Sequence, residues 1–287
     1  MSKLLVGCDP ELFIRNTKTG AYISAHNLIP GTKKKPYKVK HGAIQVDGVA
    51  AEFNIDPAAS EEEFTHNIRE VLAQLTAMLP SSLVLCAEPT VQFDVGYYNT
   101  LPNSVKIVGC DPDYDAYTAN MNPTYDLSNG FRYGAGHIHI GWTQNKALDD
   151  HGHFLDCIDI SKQMDSYLGL YSLLWDHDIF RRLTYGRAGM FRPKSYGCEY
   201  RTLSNKWVDD PDLWGYVYRE TIAGVNMLYE GYFSPSHCGL DFAKGCIESS
   251  NFFDWPRNGY HAGAKNSQWP PKKYITWQGK VANDGIM

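Results

Sequence analysis

The sequence contains no closely spaced cysteine pair, although cysteine itself is present. Its seven cysteines are dispersed along the chain and form no C-x-x-C motif: Cys8, Cys86, Cys110, Cys157, Cys198, Cys238 and Cys246. An odd, scattered set is typical of a reduced intracellular protein and argues against a disulfide framework or a zinc knuckle. A signal-peptide-like segment is missing, and no apolar run approaches the roughly 18 residues that cross a bilayer. We therefore expect a soluble, cytoplasmic protein that makes no membrane contact.

Positive charge and the common nucleotide-binding motifs are scarce as well. The formal net charge is −5, which argues against dedicated nucleic-acid binding, because such proteins usually carry a basic face. No G-x-x-x-x-G-K-[ST] or G-x-G-x-x-G motif occurs, and Gly134-Ala135-Gly136 does not match the second of them. No nucleophile elbow or S-x-x-K motif supports covalent catalysis. Any bound nucleotide must therefore be held by other groups, such as metal ions and arginines.

The composition is that of a folded globular protein. Of the 287 residues, 43% are hydrophobic and 21% are charged, which suffices for one large domain or two small ones with a substantial core. The sequence shows no internal repeat and no linker. We expect a single catalytic domain over residues 1–287, in which residues 233–287, a stretch of low periodicity, form a C-terminal extension.

Hydrophobic periodicity predicts a mixture of strands and helices. Ser60, with Glu63 three residues later, is the capping-box signature of a helix start. Apolar residues at three-to-four spacing predict helices at about 60–79, 153–175 and 212–230. Extended stretches are predicted at 3–8, 11–15, 43–55, 83–95 and 132–142. Gly48 suggests either a bulge inside the third of these or a close approach of the backbone to a ligand. Residues 97–132 are interpreted as a long loop.

Chemically capable residues stand two positions apart in several predicted strands. Side chains at i and i+2 of a strand point to the same face. The pairs occur in Asp9-Pro10-Glu11, Glu52-Phe53-Asn54, His137-Ile138-His139 and Glu199-Tyr200-Arg201. Apolar residues fill the alternate positions. The pattern predicts a sheet with one apolar face and one face that carries carboxylates, imidazoles and a guanidinium.

A set of mostly oxygen ligands on this face indicates a metal site. Hard oxygen ligands favour Mg²⁺, or Mn²⁺ in its place, over zinc. The candidate ligands are Asp9, Glu11, Asp47, Glu52, His137 and Glu199. Each of them alone is more often an ion-pair or hydrogen-bond partner, and their shared strand context is what favours the metal. For His139, a substrate contact and a structural role are both open.

Basic residues are concentrated between residues 181 and 201, a stretch that ends with the Glu199-Tyr200-Arg201 segment. Arginine's planar fork suits phosphate oxygens. Six basic residues fall within 21 positions, interleaved with aromatic and apolar residues: Arg181, Arg182, Arg187, Arg192, Lys194 and Arg201. We interpret this mixture as a partly buried pocket wall that handles phosphate. A lysine run at 33–40 is either a solvated loop or a mobile grip on an anionic substrate.

The motifs taken together resemble a known family. They are Gly-Cys-Asp-Pro-Glu at 7–11, Val-Asp-Gly-Val-Ala-Ala-Glu-Phe-Asn at 46–54, Gly-Ala-Gly-His-Ile-His-Ile-Gly at 134–141 and Glu-Tyr-Arg-Thr-Leu-Ser-Asn at 199–205. In content and order they resemble the phage-type COOH–NH2 ligases. These amidoligases belong to the glutamine synthetase and γ-glutamylcysteine ligase superfamily. The resemblance spans about residues 4–207, and a phage-encoded member would act in the host cytoplasm.

The resemblance implies an α+β fold and a set of site residues. The implied fold is a glutamine synthetase-like antiparallel β-sheet with helices packed on one face and an open face that holds ATP and two or three Mg²⁺ ions. By motif, Asp9, Glu11, Asp47, Glu52, His137 and Glu199 resemble metal ligands, and Glu52 also resembles a catalytic carboxylate. Arg201 resembles the arginine that stabilises the transferring phosphoryl group. Further phosphate contacts are assigned to Arg187, Arg192 and Lys194, and substrate contacts to His139 and Asn54.

One position departs from the family pattern. Asp9 stands where many relatives carry glutamate, so the shorter side chain would coordinate through water or not at all.

The activity implied is an ADP-forming carboxylate–amine ligase. The γ-phosphoryl of ATP is transferred to a carboxylate, and an amine then displaces phosphate from the acyl phosphate. We expect a mobile cover that keeps water out, formed by residues 31–41 or 97–130. The alternatives are a guanidino kinase-like phosphotransferase, a metal-dependent hydrolase on the same face, and a binding protein that has lost activity. The carboxylate and the amine, each a small molecule or a peptide, are not identified by the sequence, and neither is the oligomeric state.

Overall fold

Two antiparallel sheets meet where the chain passes Asp9-Pro10, and helices cover one side of them. The computed structural model describes residues 3–106, 112–123, 130–234 and 242–250. Within these residues the strands are β1 (Leu5–Cys8), β2 (Glu11–Asn16), β3 (Tyr22–Ile23), β4 (Tyr37–Val39), β5 (Gly42–Asp47), β6 (Ala50–Ile55), β7 (Leu83–Cys86), β8 (Thr90–Gln92), β9 (Tyr114–Asp115), β10 (Phe131–Tyr133), β11 (Ile138–Gly141), β12 (Met190–Lys194) and β13 (Gly197–Tyr200).

The helices described lie mainly between and after the strands. They are α1 (Glu61–Ala77), α2 (Val95–Thr100), α3 (Asn103–Lys106), α4 (His151–Met164), α5 (Leu170–Ser172), α6 (Ile179–Leu183), α7 (Pro211–Tyr229) and α8 (Phe242–Ser249). A π-helical turn at Asp165–Gly169 joins α4 to α5, and a 3₁₀ turn covers Asn205–Asp209. None of the helices in the described ranges is long and apolar enough to cross a membrane.

The strand order explains how distant motifs become neighbours. The first sheet has the order β1-β11-β13-β12-β9, and the second has the order β3-β2-β6-β5-β4 with β7 paired to β2. A separate two-stranded ribbon joins β8 to β10. The named strands pair antiparallel throughout. The predicted mixture of helices and antiparallel sheet is therefore confirmed, while the glutamine synthetase-like arrangement stays a prediction.

The apolar alternate positions of the strands build the core. Ile138 and Ile140 of β11 and Phe53 of β6 are fully buried in one cluster with Phe64 of α1 and Val217 of α7. Because side chains alternate across a strand, burying this set on the helix side turns the polar partners to the other side. The sheets thus present the polar side chains of these strands away from α1 and α7.

Helix α1 begins as the sequence predicts. The Ser60 side chain accepts a hydrogen bond from the Glu63 backbone N–H at 3.1 Å. The Glu63 carboxylate accepts from the Ala59 N–H at 2.7 Å, one residue before the cap. These bonds satisfy donors that the first helical turn otherwise leaves unpaired.

Four predicted boundaries are wrong in detail. The stretch 43–55 is a hairpin of β5 and β6, and Gly48 is its turn residue with φ of 57°, not a bulge. The stretch 83–95 contains two short strands, β7 and β8, and the stretch 132–142 is divided between β10 and β11, which belong to different sheets. The predicted loop 97–132 contains α3 and most of α2 in its described part. Residues 107–111 and 124–129 lie outside the described residues, as do 235–241 and 251–287 of the predicted C-terminal extension.

Candidate metal and phosphate site

The polar face of both sheets forms the wall of a cavity of about 1340 Å³. The cavity extends along the strands from β1 and β11 across the junction of the two sheets. Its lining includes the predicted site residues Asp9, Glu11, Asp47, Glu52, Asn54, His137, His139, Arg192, Lys194, Glu199 and Arg201. Four segments that are far apart in sequence therefore supply one continuous surface.

One group of candidate ligands consists of Asp9, His137 and Glu199. The Asp9 backbone N–H donates to the His137 carbonyl oxygen at 3.4 Å, which sets the first two side by side. Strand β13 adds Glu199, directly opposite His139 of β11. The Nδ1 of His137 lies 3.3 Å from Asp9 Oδ1 and 3.3 Å from Glu199 Oε1. One ligand atom of each residue falls within 4.8 Å of the others, a geometry able to hold a metal ion.

A second group lies on the neighbouring sheet and consists of Glu11, Asp47 and Glu52. Glu11 of β2 is directly opposite Glu52 of β6, and Asp47 ends β5. Their ligand atoms also lie within 4.8 Å of one another. Like charges directly opposite on paired strands destabilise a sheet. A divalent cation between these carboxylates would remove that repulsion, so the donor set fits a hard metal ion such as Mg²⁺ or Mn²⁺.

The electrostatics of the second group agree with this fit. Burial and the neighbouring Asp47 raise the pKa of Glu11 to about 8. Burial, together with Asp9, Asp47 and Glu11, raises the pKa of Glu52 well above its usual value. Both carboxyls thus favour protonation in the absence of a cation. A bound divalent ion would reverse this preference because it stabilises the ionised forms.

The first group has the opposite electrostatic character. Burial acts to raise the pKa of Glu199, but the charges of Arg201 and Lys194 hold it well below its ordinary value. Burial and the charge of Arg201 lower the pKa of His137 to about 4, so its imidazole is neutral at pH 7. The nitrogen that faces the carboxylates of this group is Nδ1, and a neutral imidazole is the form that ligates metal. The other ring nitrogen, Nε2, is buried and has no hydrogen-bond partner among the described residues.

Three basic side chains converge on Glu199. Arg201 Nη1 donates to its carboxylate, Arg192 Nη1 lies 3.2 Å from Oε1, and Lys194 Nζ lies 2.7 Å from Oε2. Arg201 also donates through Nε to Asp113 Oδ2 at 3.1 Å and through Nη2 to the Tyr185 hydroxyl at 2.9 Å. The cavity therefore holds a compact cationic wall immediately beside the first ligand group.

The other basic residues of the predicted phosphate cluster lie elsewhere. Among the described residues, Arg187 is not part of the cavity lining. Its Nη2 donates at 2.8 Å to the side chain of Asn122, a residue that does line the cavity. Arg181 and Arg182 are completely buried in the interior. The cluster in the sequence therefore divides into a cavity-facing part and an interior part.

The two predicted substrate contacts both line the cavity. His139 Nε2 lies 3.0 Å from Asp9 Oδ2, and its Nδ1 shares a hydrogen bond with the Tyr196 hydroxyl. Asn54 lies on β6, two positions after Glu52. The lysine loop reaches the cavity through Lys33, whose Nζ lies 3.8 Å from Asp47 Oδ2.

Asp113 lines the cavity and was not predicted, whereas Tyr185 and Tyr196 belong to the mixture of arginines and aromatic residues that predicts a pocket wall but were given no site role of their own. Tyr185 lies between Arg181 and Arg201, with each guanidinium 5.7 Å from its ring centre. No strand alternation or paired motif marks these positions. Their only signal is proximity in sequence to the arginine segment, or for Asp113 a place in the Asn/Pro/Tyr-rich stretch.

Comparison with known proteins gives limited information. No protein-family model matches the chain, and no curated protein sequence matches it. Among solved structures, a crystal structure described as a novel glutamine synthase homolog matches with a TM-score of 0.35 and 10% identity. The match covers 87% of this chain and 65% of that chain, so this protein spans less than two thirds of the other's length.

Proposed function

We propose that the protein is an ATP- and Mg²⁺-dependent ligase that joins a carboxylate to an amine with release of ADP and phosphate. The observation that carries this proposal is the arrangement of the cavity wall. Two three-residue ligand groups lie beside a cluster of three basic side chains, all on one polar sheet surface. Acyl-phosphate chemistry needs both elements, metal ions and arginines, to neutralise a transferring phosphoryl group.

The ligand groups would hold the metal ions separately. Asp9, His137 and Glu199 would take one ion, and Glu11, Asp47 and Glu52 would take another. When bound, such ions polarise phosphate oxygens and neutralise the charge that develops on them. Mn²⁺ would serve in place of Mg²⁺, because both accept carboxylate oxygens.

The basic residues would contact the phosphates directly. Arg201 is 5% exposed and held by Asp113 and Tyr185, so its guanidinium reaches the cavity in a fixed orientation. Arg192 and Lys194 extend from the neighbouring strand β12 to the carboxylate of Glu199, which Arg201 also binds. In the proposed reaction the carboxylate oxygen attacks the γ-phosphorus, ADP leaves, and the amine then expels phosphate from the acyl carbon and loses a proton.

The test measures nucleotide products formed from ATP and Mg²⁺ with pools of amino acids, small carboxylates and peptides. We expect ADP and phosphate to be released only when a suitable pool is present. Arg201→Ala should reduce the rate by about 100-fold or more, the range typical for loss of one charge-stabilising donor. Arg219→Ala is the matched control, since Arg219 is a half-exposed arginine that pairs with Glu61 on the helix side.

Other products would contradict the proposal in distinct ways. AMP and pyrophosphate would mean adenylation of the carboxylate. A stable phosphorylated guanidine would indicate the phosphotransferase alternative. Metal-dependent hydrolysis of an amide without ATP would indicate the hydrolase.

A further inference from the structure

Arg181 occupies an unusual place beneath the candidate site. Its side chain is fully buried, and all three of its guanidinium nitrogens donate to main-chain carbonyl oxygens. Nε donates to Gly134 at 3.1 Å, Nη1 to Thr202 at 2.8 Å and Nη2 to Leu203 at 2.7 Å. One side chain thus ties together two segments that are more than sixty positions apart.

Both segments lead directly into site residues. Gly134 stands three positions before His137, and Thr202 follows Arg201. The segments also bond to each other, because the Gly136 N–H donates to the Leu203 carbonyl at 3.0 Å. The position of the bound carbonyl oxygens therefore determines where the imidazole and the catalytic guanidinium enter the cavity.

Strand β2, which begins with Glu11, is hydrogen-bonded to the same segment around Gly134. The Glu11 backbone N–H donates to the Ala135 carbonyl at 2.9 Å, and the Asn205 side chain donates to the Glu11 carbonyl at 2.7 Å. Segment 134–136 is therefore bonded to Glu11 on one side and clamped by Arg181 on the other. A shift of this segment would displace residues of both ligand groups.

We infer that Arg181 is a positioning residue whose guanidinium sets the relative placement of His137, Glu11 and Arg201 by clamping segments 134–136 and 202–203. This inference rests on the proposed function insofar as it names these residues as site groups. Arg181 itself does not line the cavity within the described residues. Its hydrogen bonds go to main-chain carbonyls, and its guanidinium also lies 5.7 Å from the ring centre of Tyr185, which does line the cavity. A lysine ammonium is a single point of positive charge, whereas the planar guanidinium spreads its donors along a fixed fork. Lysine would therefore fail to hold both segments in register.

The chain supplies a matched control next to Arg181. Arg182 is equally buried, but its Nη2 donates to Ser172 at 3.1 Å and to the Asp176 carbonyl at 2.8 Å. These partners lie in and after α5, in segments that carry none of the site residues. Arg181→Lys and Arg182→Lys make the same chemical change at the same burial, and only the first alters the site.

The experiment measures Mn²⁺ affinity, ADP release and thermal unfolding for wild type, Arg181→Lys and Arg182→Lys. We expect Arg181→Lys to weaken Mn²⁺ binding by about 10- to 100-fold, as loss of a group that orients a metal ligand does. ADP release per folded molecule should fall about 100-fold. Arg182→Lys should stay within about twofold of wild type in both measurements, even where its unfolding midpoint falls as far as that of Arg181→Lys.

A further variant and a readout without ligands keep the inference open to disproof. Gly134→Ala would place a Cβ 2.1 Å from Asn205 Nδ2 and 2.7 Å from the Glu88 carbonyl oxygen, so it displaces the same segment with Arg181 intact. If Arg181→Lys does not fold, Gly134→Ala should show the same selective loss. In metal-free protein, the imidazole NMR signals of His137 should shift in these variants and not in Arg182→Lys.

The outcomes separate this inference from the proposed function. Equal Mn²⁺ affinity and unchanged His137 signals in folded Arg181→Lys or Gly134→Ala would overturn the positioning role. If wild type forms no ADP with any pool while Mn²⁺ affinity and His137 signals still depend on Arg181, the ligase proposal fails and the positioning role stands.

Discussion

The surroundings shift the pKa of individual carboxylates in this protein in opposite directions. Glu199 is held in its ionised form by three basic neighbours, whereas Glu11 and Glu52 face each other and other carboxylates in a buried setting. The difference follows from partner charge and not from burial, since Glu52 and Glu199 are both buried and differ in the charges beside them. A bound divalent cation would stabilise the ionised forms of Glu11 and Glu52, which supports the metal site in the proposed function.

Glu220 on α7 offers a pH test away from the site. Burial raises its pKa to about 7, and its side chain is only 7% exposed. Between about pH 4.5 and 7 the folded state holds a proton that the unfolded state has released, so the free energy of unfolding falls as pH rises. Glu220→Gln should abolish this part of the pH dependence, which amounts to at most about 3 kcal/mol.

The measurement is chemical denaturation at intervals from pH 4 to 8. Glu230→Gln, at the exposed end of the same helix, is the control and should leave the wild-type slope intact. A Glu220→Gln protein that retains the wild-type slope would show that other groups produce it.

At the scale of elements, local hydrogen bonds decide where α1 starts. Ser60→Ala removes the acceptor for the Glu63 N–H and should lower the free energy of unfolding by about 1 kcal/mol. Ser81→Ala, an exposed change in the turn after the same helix, should have little effect. Equal stabilities of the two variants, measured by urea denaturation, would mean that packing of the apolar face alone sets the helix start.

The π-helical turn shows an element shaped by its tertiary partners. Asp165 begins this turn, and its buried carboxylate accepts hydrogen bonds from Tyr200 at 2.7 Å and from Tyr117 at 2.9 Å. Tyr200 is the last residue of β13 and lies between Glu199 and Arg201 in sequence. The turn thus anchors the back of β13 at the end where these two site residues lie, and a regular helix would present Asp165 in another direction.

At the scale of the whole molecule, metal binding should couple to folding. Each candidate ligand group combines residues that are far apart in sequence, so a bound ion would stabilise the folded chain and not the unfolded one. Mn²⁺ at about 100 times its dissociation constant should raise the free energy of unfolding by about 2.7 kcal/mol per site. Glu52→Gln should remove one such increment while leaving the metal-free protein as stable as wild type or more so, because it relieves carboxylate repulsion.

The comparison uses thermal unfolding with and without Mn²⁺. The exposed Glu62→Gln on α1 is the control for loss of a negative charge. Full Mn²⁺ stabilisation in Glu52→Gln would contradict the assignment of the second ligand group.

The i, i+2 pairs and the helix start at Ser60 were predictable because their information is local. Strand alternation predicts His137 and His139 on one face, and both line the cavity, although His137 lies one residue before β11 begins. The hairpin at Gly48 was missed because the chain turns there through the positive φ of a single glycine, 57°. Pattern alone does not distinguish that turn from a bulge.

The sequence by itself therefore determined which residue types share a sheet face and where the principal helices begin. Only the tertiary structure decided which arginines serve the cavity and which serve the interior. Arg181 and Arg201 look alike in sequence, yet one binds three main-chain carbonyls and the other binds Glu199, Asp113 and Tyr185. The reason is that the role of a long, flexible side chain depends on partners that are distant in sequence. The strand order brings those partners together, and the periodicity of neighbouring residues does not predict it.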